Sequence, residues 1–259
     1  MKNDIFHSIT TGRIRLFSAL LMVAVMALAA CSLKVGGVLM VEKEKNSSEL
    51  NGSVEQKKQA FFARMKPLVE AENERILEQR EDLLAMRSSR NLGWFERRTL
   101  QTLAEEYEVE IGDEPGQKEV QALLMRVDAV PVEMALVQAA NESSWGESRF
   151  AVEGNNYFGQ WCYSKGCGIV PEQRSAGATH EVRRFDNARD SVRAYMNNIN
   201  TTRAYVPFRK LREEQRKRKQ ELDAVHLALG LKSYSERGMA YVKTIQAMIR
   251  SNRKLIASS

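Results

Sequence analysis

Residues 135–146 read ALVQAANESSWG. Ala135, Leu136, Ala139 and Ala140 fall at helical spacing, so one side of this segment is apolar and the Ala-rich face permits close approach by neighbouring helices. Pro131 suits the first turn, where its missing N–H costs nothing. Asn141, Glu142, Ser143 and Ser144 break the apolar pattern, and Trp145-Gly146 closes the helix. The stretch therefore predicts a buried helix that presents one carboxylate, Glu142, at its end. A carboxylate beside a large aromatic group at such a place is partly desolvated, which disfavours its charged form. That is the condition a general acid working near neutral pH requires. Taken alone, Glu142 also fits a solvated or capping residue near a helix end.

The residues around and beyond Glu142 favour the acid. The run QAANESSWGESRFAVEGNNYFGQW resembles the core of the family 73 glycoside hydrolases, the peptidoglycan β-N-acetylglucosaminidases. Gln138, Ala139, Glu142, Ser143, Trp145, Gly146 and Ser148 match the helix end of that family, and Asn156, Phe158 and Gly159 match its Asn-x-Phe-Gly turn. Through GCGIVP, THEVRRF and NINTTRAY the pattern is similar to the bacterial Bax proteins, a branch of the same superfamily. The resemblance spans about residues 55–250 and is most specific at Leu136–Tyr205. It implies a mainly α (α+β) fold: a lysozyme-like helical domain with a small β-hairpin lobe and a cleft between them.

Composition sets wide bounds. The chain has 259 residues, 43% hydrophobic and 28% charged, an ordinary globular balance. Formal charge is +6, of which +4 remains beyond residue 30. That excess is mild, and neither a nucleic-acid-binding motif nor a P-loop is visible, so no nucleic-acid partner is expected.

The N-terminus reads as an address. Lys2, Arg13 and Arg15 precede an uncharged apolar run, Leu16–Ala30, too short for a comfortable membrane span. The run ends Leu28-Ala29-Ala30-Cys31, which looks like a bacterial lipobox, with Cys31 the lipidated residue; an ordinary secretory signal with an incidental Cys is the alternative. Ser32 after the Cys, by analogy with lipoprotein sorting, favours the outer membrane of a diderm host. A periplasm-facing lipoprotein of the cell envelope is expected, anchored in the membrane through Cys31. The remaining cysteines, Cys162 and Cys167, lie in WCYSKGCG. In an exported protein they predict a disulfide at the base of the hairpin lobe; a zinc half-site lacks a second Cys/His pair at metal spacing. His180 and His226 stand singly and read as non-ligands.

The expected order is a signal peptide (1–30), a lipidated Cys with flexible linker (31–53), an N-terminal helical segment packing on the catalytic domain (54–130), and a glucosaminidase-like catalytic domain (131–259). Val54–Arg90 reads as helix interrupted near Pro67, Trp94–Tyr107 and Gln117–Val127 as further helices. Gly-rich, β-prone pieces over Phe158–Phe185 predict the hairpin lobe. Asn187–Asn200 returns to helix, capped by Asn187 or Asp186. The basic stretch Phe208–Leu229 reads as a solvated helix face, with a wall- or membrane-contact patch as the functional alternative. Tyr234–Ile256 is expected to close the fold.

Cleaving a glycosidic bond needs a proton on the leaving oxygen, and a second group that stabilises the cationic sugar or activates water. Glu142 is the expected acid. The resemblance suggests a second carboxylate from the hairpin lobe, and two stand there. Glu172, after Pro171 on the first strand, ranks ahead of Glu181 on the return strand; if neither acts, the substrate's acetamido group is the remaining helper. Tyr205 matches a tyrosine that the family places near the acid. Asn156, Tyr157 and Trp161 are candidate substrate-binding residues, aromatic faces being suited to sugar rings. Phe158 and Trp145 are expected to serve as core anchors. The implied activity is endo-hydrolysis of the β-1,4 bond after N-acetylglucosamine in peptidoglycan glycan strands, by a monomer needing no cofactor or metal. Muramidase or lytic-transglycosylase chemistry, or a non-catalytic peptidoglycan-binding lipoprotein, are the alternatives.

Overall fold

The computed structural model describes residues 52–259 apart from Arg90, Gln173, Ser175 and Ala176. The expected signal peptide, Cys31 and nearly all of the linker lie outside the described residues. Helix α1 covers residues 52–88, so the expected linker end at Ser53 falls inside a helix. Next in the chain come α2 (Trp94–Glu106), α3 (Gln117–Arg126), α4 (Val132–Ser143), α5 (Arg149–Gly154), β1 (Trp161–Cys162), β2 (Gly168–Ile169), β3 (Glu181–Arg183), α6 (Ala188–Thr201), α7 (Val206–Lys217), α8 (Ala224–Leu227) and α9 (Met239–Ala257). One-turn 3-10 segments precede α7 and follow α8. Among the described residues no helix is long and apolar enough to cross a membrane.

Helix α1 does not break at Pro67 as the sequence suggested. Proline removes the bond to the carbonyl of Ala63, but Ala63 and Pro67 are both exposed, so water reaches the freed oxygen. Phe62, Met65 and Val69 on that stretch, and Ile76 and Leu83 beyond it, are all buried. That continuous apolar stripe holds the helix together through one missing hydrogen bond.

Helix α4 is the axis of the core. Met134, Ala135, Leu136, Val137, Gln138, Ala139 and Ala140 are all buried, so the helix is enclosed on every side rather than on one face. Two polar clamps fix its entrance. Asn73 of α1 donates to the Val130 carbonyl at 2.8 Å and accepts from the Val130 N–H at 2.9 Å. Arg212 of α7, 1% exposed, donates to the carbonyls of Asp128 and Ala129 at 2.9 and 3.0 Å and to Asn200 Oδ1 at 2.8 Å.

This corrects the reading of the basic stretch as a solvated face. Arg209 and Arg212 are buried, and Arg209 donates to the carbonyls of Ile199 and Thr202. Nor is Phe208–Leu229 one helix: α7 stops at Lys217 and α8 begins at Ala224. Burial pushes the Asp128 carboxyl up, yet Arg212, Arg216 and Arg80 around it hold it below the usual carboxylate range.

The β lobe is a three-stranded antiparallel sheet in the order β1-β3-β2, with β3 in the middle. Trp161 pairs with Val182 and Cys162 with Glu181 on one edge; Gly168 pairs with Arg183 and Ile169 with Val182 on the other. Cys162 and Cys167 form the expected disulfide, tying β1 to the turn before β2. The fold is thus mainly helical with a small β lobe. Asn187, not Asp186, caps α6 by accepting from the Asp190 N–H.

Candidate active site

Glu142 sits in the last turn of α4, half-buried. The chain then turns sharply: Ser144, Trp145 and Gly146 all have positive φ, at 51°, 62° and 84°. The Trp145 N–H bonds back to the Ala140 carbonyl, and the Gly146 N–H to the Ser143 hydroxyl. Glycine suits position 146 because its φ of 84° lies in the left-handed region, where any side chain would be strained. The turn swings Trp145 onto α1, edge-on to Phe61 and Phe62 at 5.8 and 5.4 Å. Trp145 is therefore a core anchor. The aromatic groups in the field of Glu142 are four tyrosines.

Tyr195 of α6, Tyr205 in the 3-10 turn, Tyr234 before α9 and Tyr241 of α9 lie within electrostatic reach of the carboxylate. Burial raises the pKa of each, and the negative charge of Glu142 adds to the rise, so all four remain neutral hydroxyls. Gln138, one turn back on α4 and fully buried, organises two of them. Its Oε1 accepts from the Tyr195 hydroxyl at 2.6 Å, and its Nε2 donates to the Tyr241 oxygen at 2.9 Å. Tyr241, having accepted from Gln138, keeps its own hydroxyl proton free for the nearby Glu142. Tyr234 donates to the Phe158 carbonyl at 3.0 Å, and Tyr195 stacks on the Phe158 ring at 4.0 Å. Asn141 Nδ2 donates to Glu142 Oε1 at 2.9 Å.

The Asn-x-Phe-Gly turn supplies the remaining wall. Gly159, at φ 66°, has its backbone so close that an added Cβ would stand 3.9 Å from Glu142 Oε2. Asn156 builds this turn and is 1% exposed. Its Nδ2 donates to the carbonyls of Gln160 and Arg183, both at 2.8 Å, and its Oδ1 accepts from the N–H groups of Phe158 and Gln160. All of its bonding capacity is used inside the protein, so the expectation of a substrate contact gives way to a scaffolding one. Tyr157 also departs from expectation: it is 5% exposed, packed on Phe61 and under the Arg64 guanidinium, and offers no face to a ligand. Trp161 does offer one. It is 56% exposed and stacked on His180 at 4.1 Å.

The two lobe carboxylates meet different fates. Glu181 accepts from the N–H groups of Gly166 and Gly168 at 3.0 and 2.8 Å, which hold its carboxyl below the usual range. It braces the disulfide turn with both oxygens and is only 6% exposed, which keeps it from a substrate. Glu172 is not on a strand but in the turn after β2, exposed, 3.8 Å from Arg149. Among the described residues, the group of ligand-type side chains near enough to share an ion is Cys162, Cys167 and Glu181. The disulfide and the glycine amides already occupy it.

Beside the turn runs a groove of about 700 Å³ whose walls include Gln160, Trp161, Arg183, Asn197, Asn198 and Thr202. Glu142 does not line it. Asn198 joins the two places: it bonds Tyr205 and accepts from the Thr202 hydroxyl at 2.6 Å. Sequence patterns brought out Glu142, Tyr205 and Trp161 but assigned no role to Gln138, Gln160, Tyr195, Tyr234 or Tyr241. A glutamine inside an otherwise apolar helix was the available signal, since a buried amide must find partners.

A family model described as mannosyl-glycoprotein endo-beta-N-acetylglucosaminidase matches residues 118–254, from α3 through most of α9. The chain is also 34% identical over 202 residues to Protein bax of Escherichia coli (strain K12), covering 78% of this chain and 72% of that protein. No solved structure matches significantly.

Proposed function

Because the chain belongs to the glucosaminidase family of glycoside hydrolases, we propose that it hydrolyses the β-1,4 bond after N-acetylglucosamine in peptidoglycan glycan strands, with Glu142 as the proton donor. The observation that carries this reading is the setting of Glu142: one half-buried carboxylate in the field of four neutral tyrosine hydroxyls, with the Gly159 turn beside its Oε2. Protonation of the leaving oxygen by Glu142 generates an oxocarbenium-like sugar. Asn141 holds one carboxylate oxygen, and Tyr241 and Tyr205 supply neutral hydroxyls in its field. With Glu181 committed to the lobe, the remaining sources of the second group are Glu172, brought in by movement of its turn, and the acetamido oxygen of the substrate itself. Trp161 serves as a sugar platform in the adjoining groove.

The same proposal keeps the protein in the cell envelope, facing the periplasm as a monomer, held at the outer membrane by lipid on Cys31. Labelling with a palmitate analogue is expected for the wild type and lost in Cys31→Ser; unchanged labelling would rule the anchor out.

The activity is tested by digesting purified peptidoglycan with the wild type and with Glu142→Gln, followed by mass spectrometry of borohydride-reduced products. Reduced N-acetylglucosamine ends from the wild type alone are expected. Reduced or anhydro-muramic ends would move the assignment to muramidase or lytic-transglycosylase chemistry. A folded wild type that binds the wall without releasing products would favour a binding protein.

A further inference from the structure

Gln160 Oε1 is a buried side-chain oxygen with no hydrogen-bond partner, the one such atom among the described residues. Buried acceptors are nearly always paired, so an unpaired one calls for an explanation. The residue's main chain is fully engaged. Its N–H donates to Asn156 Oδ1 at 3.1 Å, and its carbonyl accepts from Asn156 Nδ2 and from the Arg183 N–H, both at 2.8 Å. The backbone cannot shift to find the side chain a partner. The terminal amide torsion, by contrast, is broad and roughly two-fold, and nothing bonded to the oxygen holds it where it is. Gln160 forms part of the groove wall next to Trp161, whose ring stacks on His180 through one face and is still 56% exposed.

We propose that this corner is a subsite for an N-acetylated sugar, with Gln160 Oε1 accepting the acetamido N–H while the sugar face rests on Trp161. The inference rests on the glycan-hydrolase reading and adds to it a residue that tells N-acetylated from de-N-acetylated glycan. A secondary-amide N–H suits the position better than a hydroxyl. It is planar and fixed in direction, it donates only, and its methyl brings further apolar area to the indole. A site built to bond one polar group discriminates strongly against the analogue lacking it, because its own buried group is then left unpaired. Secondary amides in peptidoglycan come from two sources, the sugars and the stem peptides; the width of an indole plate favours the sugar.

The test measures binding to the full chain in detergent, in a Glu142→Gln background so that ligands stay intact. The probes are an N-acetylglucosamine tetramer, its de-N-acetylated counterpart and a free stem peptide. Gln160→Met, which keeps the length and removes the acceptor, is expected to reduce the preference for the acetylated tetramer about tenfold, the worth of one neutral hydrogen bond. Gln160→Glu, which keeps an acceptor and adds a charge, is expected to reverse the preference toward the ammonium-bearing tetramer. This second variant preserves the test if the first folds poorly. Equal losses on both tetramers, or an unchanged preference in both variants, would overturn the subsite. A Gln160-dependent loss confined to the stem peptide would overturn the sugar assignment. Peptidoglycan digestion by the wild type separates the two proposals. Reducing ends with a Gln160-indifferent preference sink the subsite alone; no reducing ends with a Gln160-dependent preference leave the subsite and sink the hydrolase.

Discussion

Asn156 separates two readings of the same motif. As a ligand contact it would bind substrate and leave the fold alone; as built, it holds the turn that faces Glu142. The substitution Asn156→Ala removes four hydrogen bonds, at 2.8, 2.8, 3.1 and 3.3 Å. The Gln160 carbonyl keeps the Arg183 N–H as a partner, but the N–H groups of Phe158 and Gln160 and the Arg183 carbonyl lose theirs. Each internal bond contributes about 0.5–1.5 kcal/mol net, and a buried group left unsatisfied costs toward the upper end. The three losses together are worth about 3 kcal/mol. For a domain of this size that lowers Tm by about 6–12 °C. Because Gly159 then loses its place beside Glu142 Oε2, kcat is expected to fall at least about tenfold while KM stays within about threefold. Asn156→Asp keeps the acceptor and loses the donor, so it should fall between the two. Thermal unfolding by circular dichroism, together with release of reducing ends from peptidoglycan, reads both effects. A Tm unchanged within about 2 °C, with KM rising and kcat preserved, would refute the scaffolding argument and return Asn156 to the substrate.

Three further outcomes are expected. Tyr241→Phe removes the hydroxyl between Gln138 and Glu142; losing a bond to a charged group should lower kcat about ten- to a hundredfold with KM little changed, and an unaltered kcat would dismiss its positioning role. Glu181→Gln should retain most of the activity, because the carboxylate serves the glycine amides of the lobe. Its folded pKa is depressed, so its contribution to stability is present above the unfolded value of about 4.3 and is lost as pH falls through the folded one; the Tm difference from wild type should therefore be largest near neutrality and shrink toward pH ~3, and a difference that grows on acidification would contradict the assignment. Arg212→Met strips a buried charge from Asp128 and from the carbonyls before α4, for a loss of about 3 kcal/mol; in the double variant with Asp128→Asn the losses should be less than additive, and strict additivity would mean the two do not act together.

Legibility followed the reach of each signal. Helix α4, its Glu142 end and the disulfide pair could be read because their evidence is local: an apolar period, a break in it, and two cysteines five residues apart. Pro67 misled because proline's local cost is fixed while the rescuing stripe of Phe62, Met65, Val69 and Ile76 acts through tertiary packing. The arginines at 209 and 212 misled for the opposite reason. A basic run is usually solvated, and nothing local announces that carbonyls from the ends of α3 and α6 converge on two of its members. Glu181 and Asn156 belong to a third kind. Their residue types were chemically suited to the roles expected of them, but a side chain has a limited number of bonds to give, and the backbone had already taken them.

Bonds already taken also organise the surroundings of Glu142. The tyrosines around Glu142 come from four separate stretches, α6, the 3-10 turn, the segment before α9, and α9 itself. Each is held by a bond or stack to something other than the carboxylate: Tyr195 by Gln138, Tyr205 by Asn198, Tyr234 by the Phe158 carbonyl and the Tyr241 ring, Tyr241 by Gln138. Hydroxyls so anchored cannot reorganise when charge develops, which is the property that makes fixed dipoles effective in a transition state. They also cannot follow Glu142 if it moves. The second group is therefore to be sought on the exposed turn bearing Glu172 or on the substrate's acetamido group. Glu172→Gln decides between them: a loss of activity near that of Glu142→Gln would put the second group on the turn, whereas retained activity that disappears on de-N-acetylated glycan would put it on the sugar.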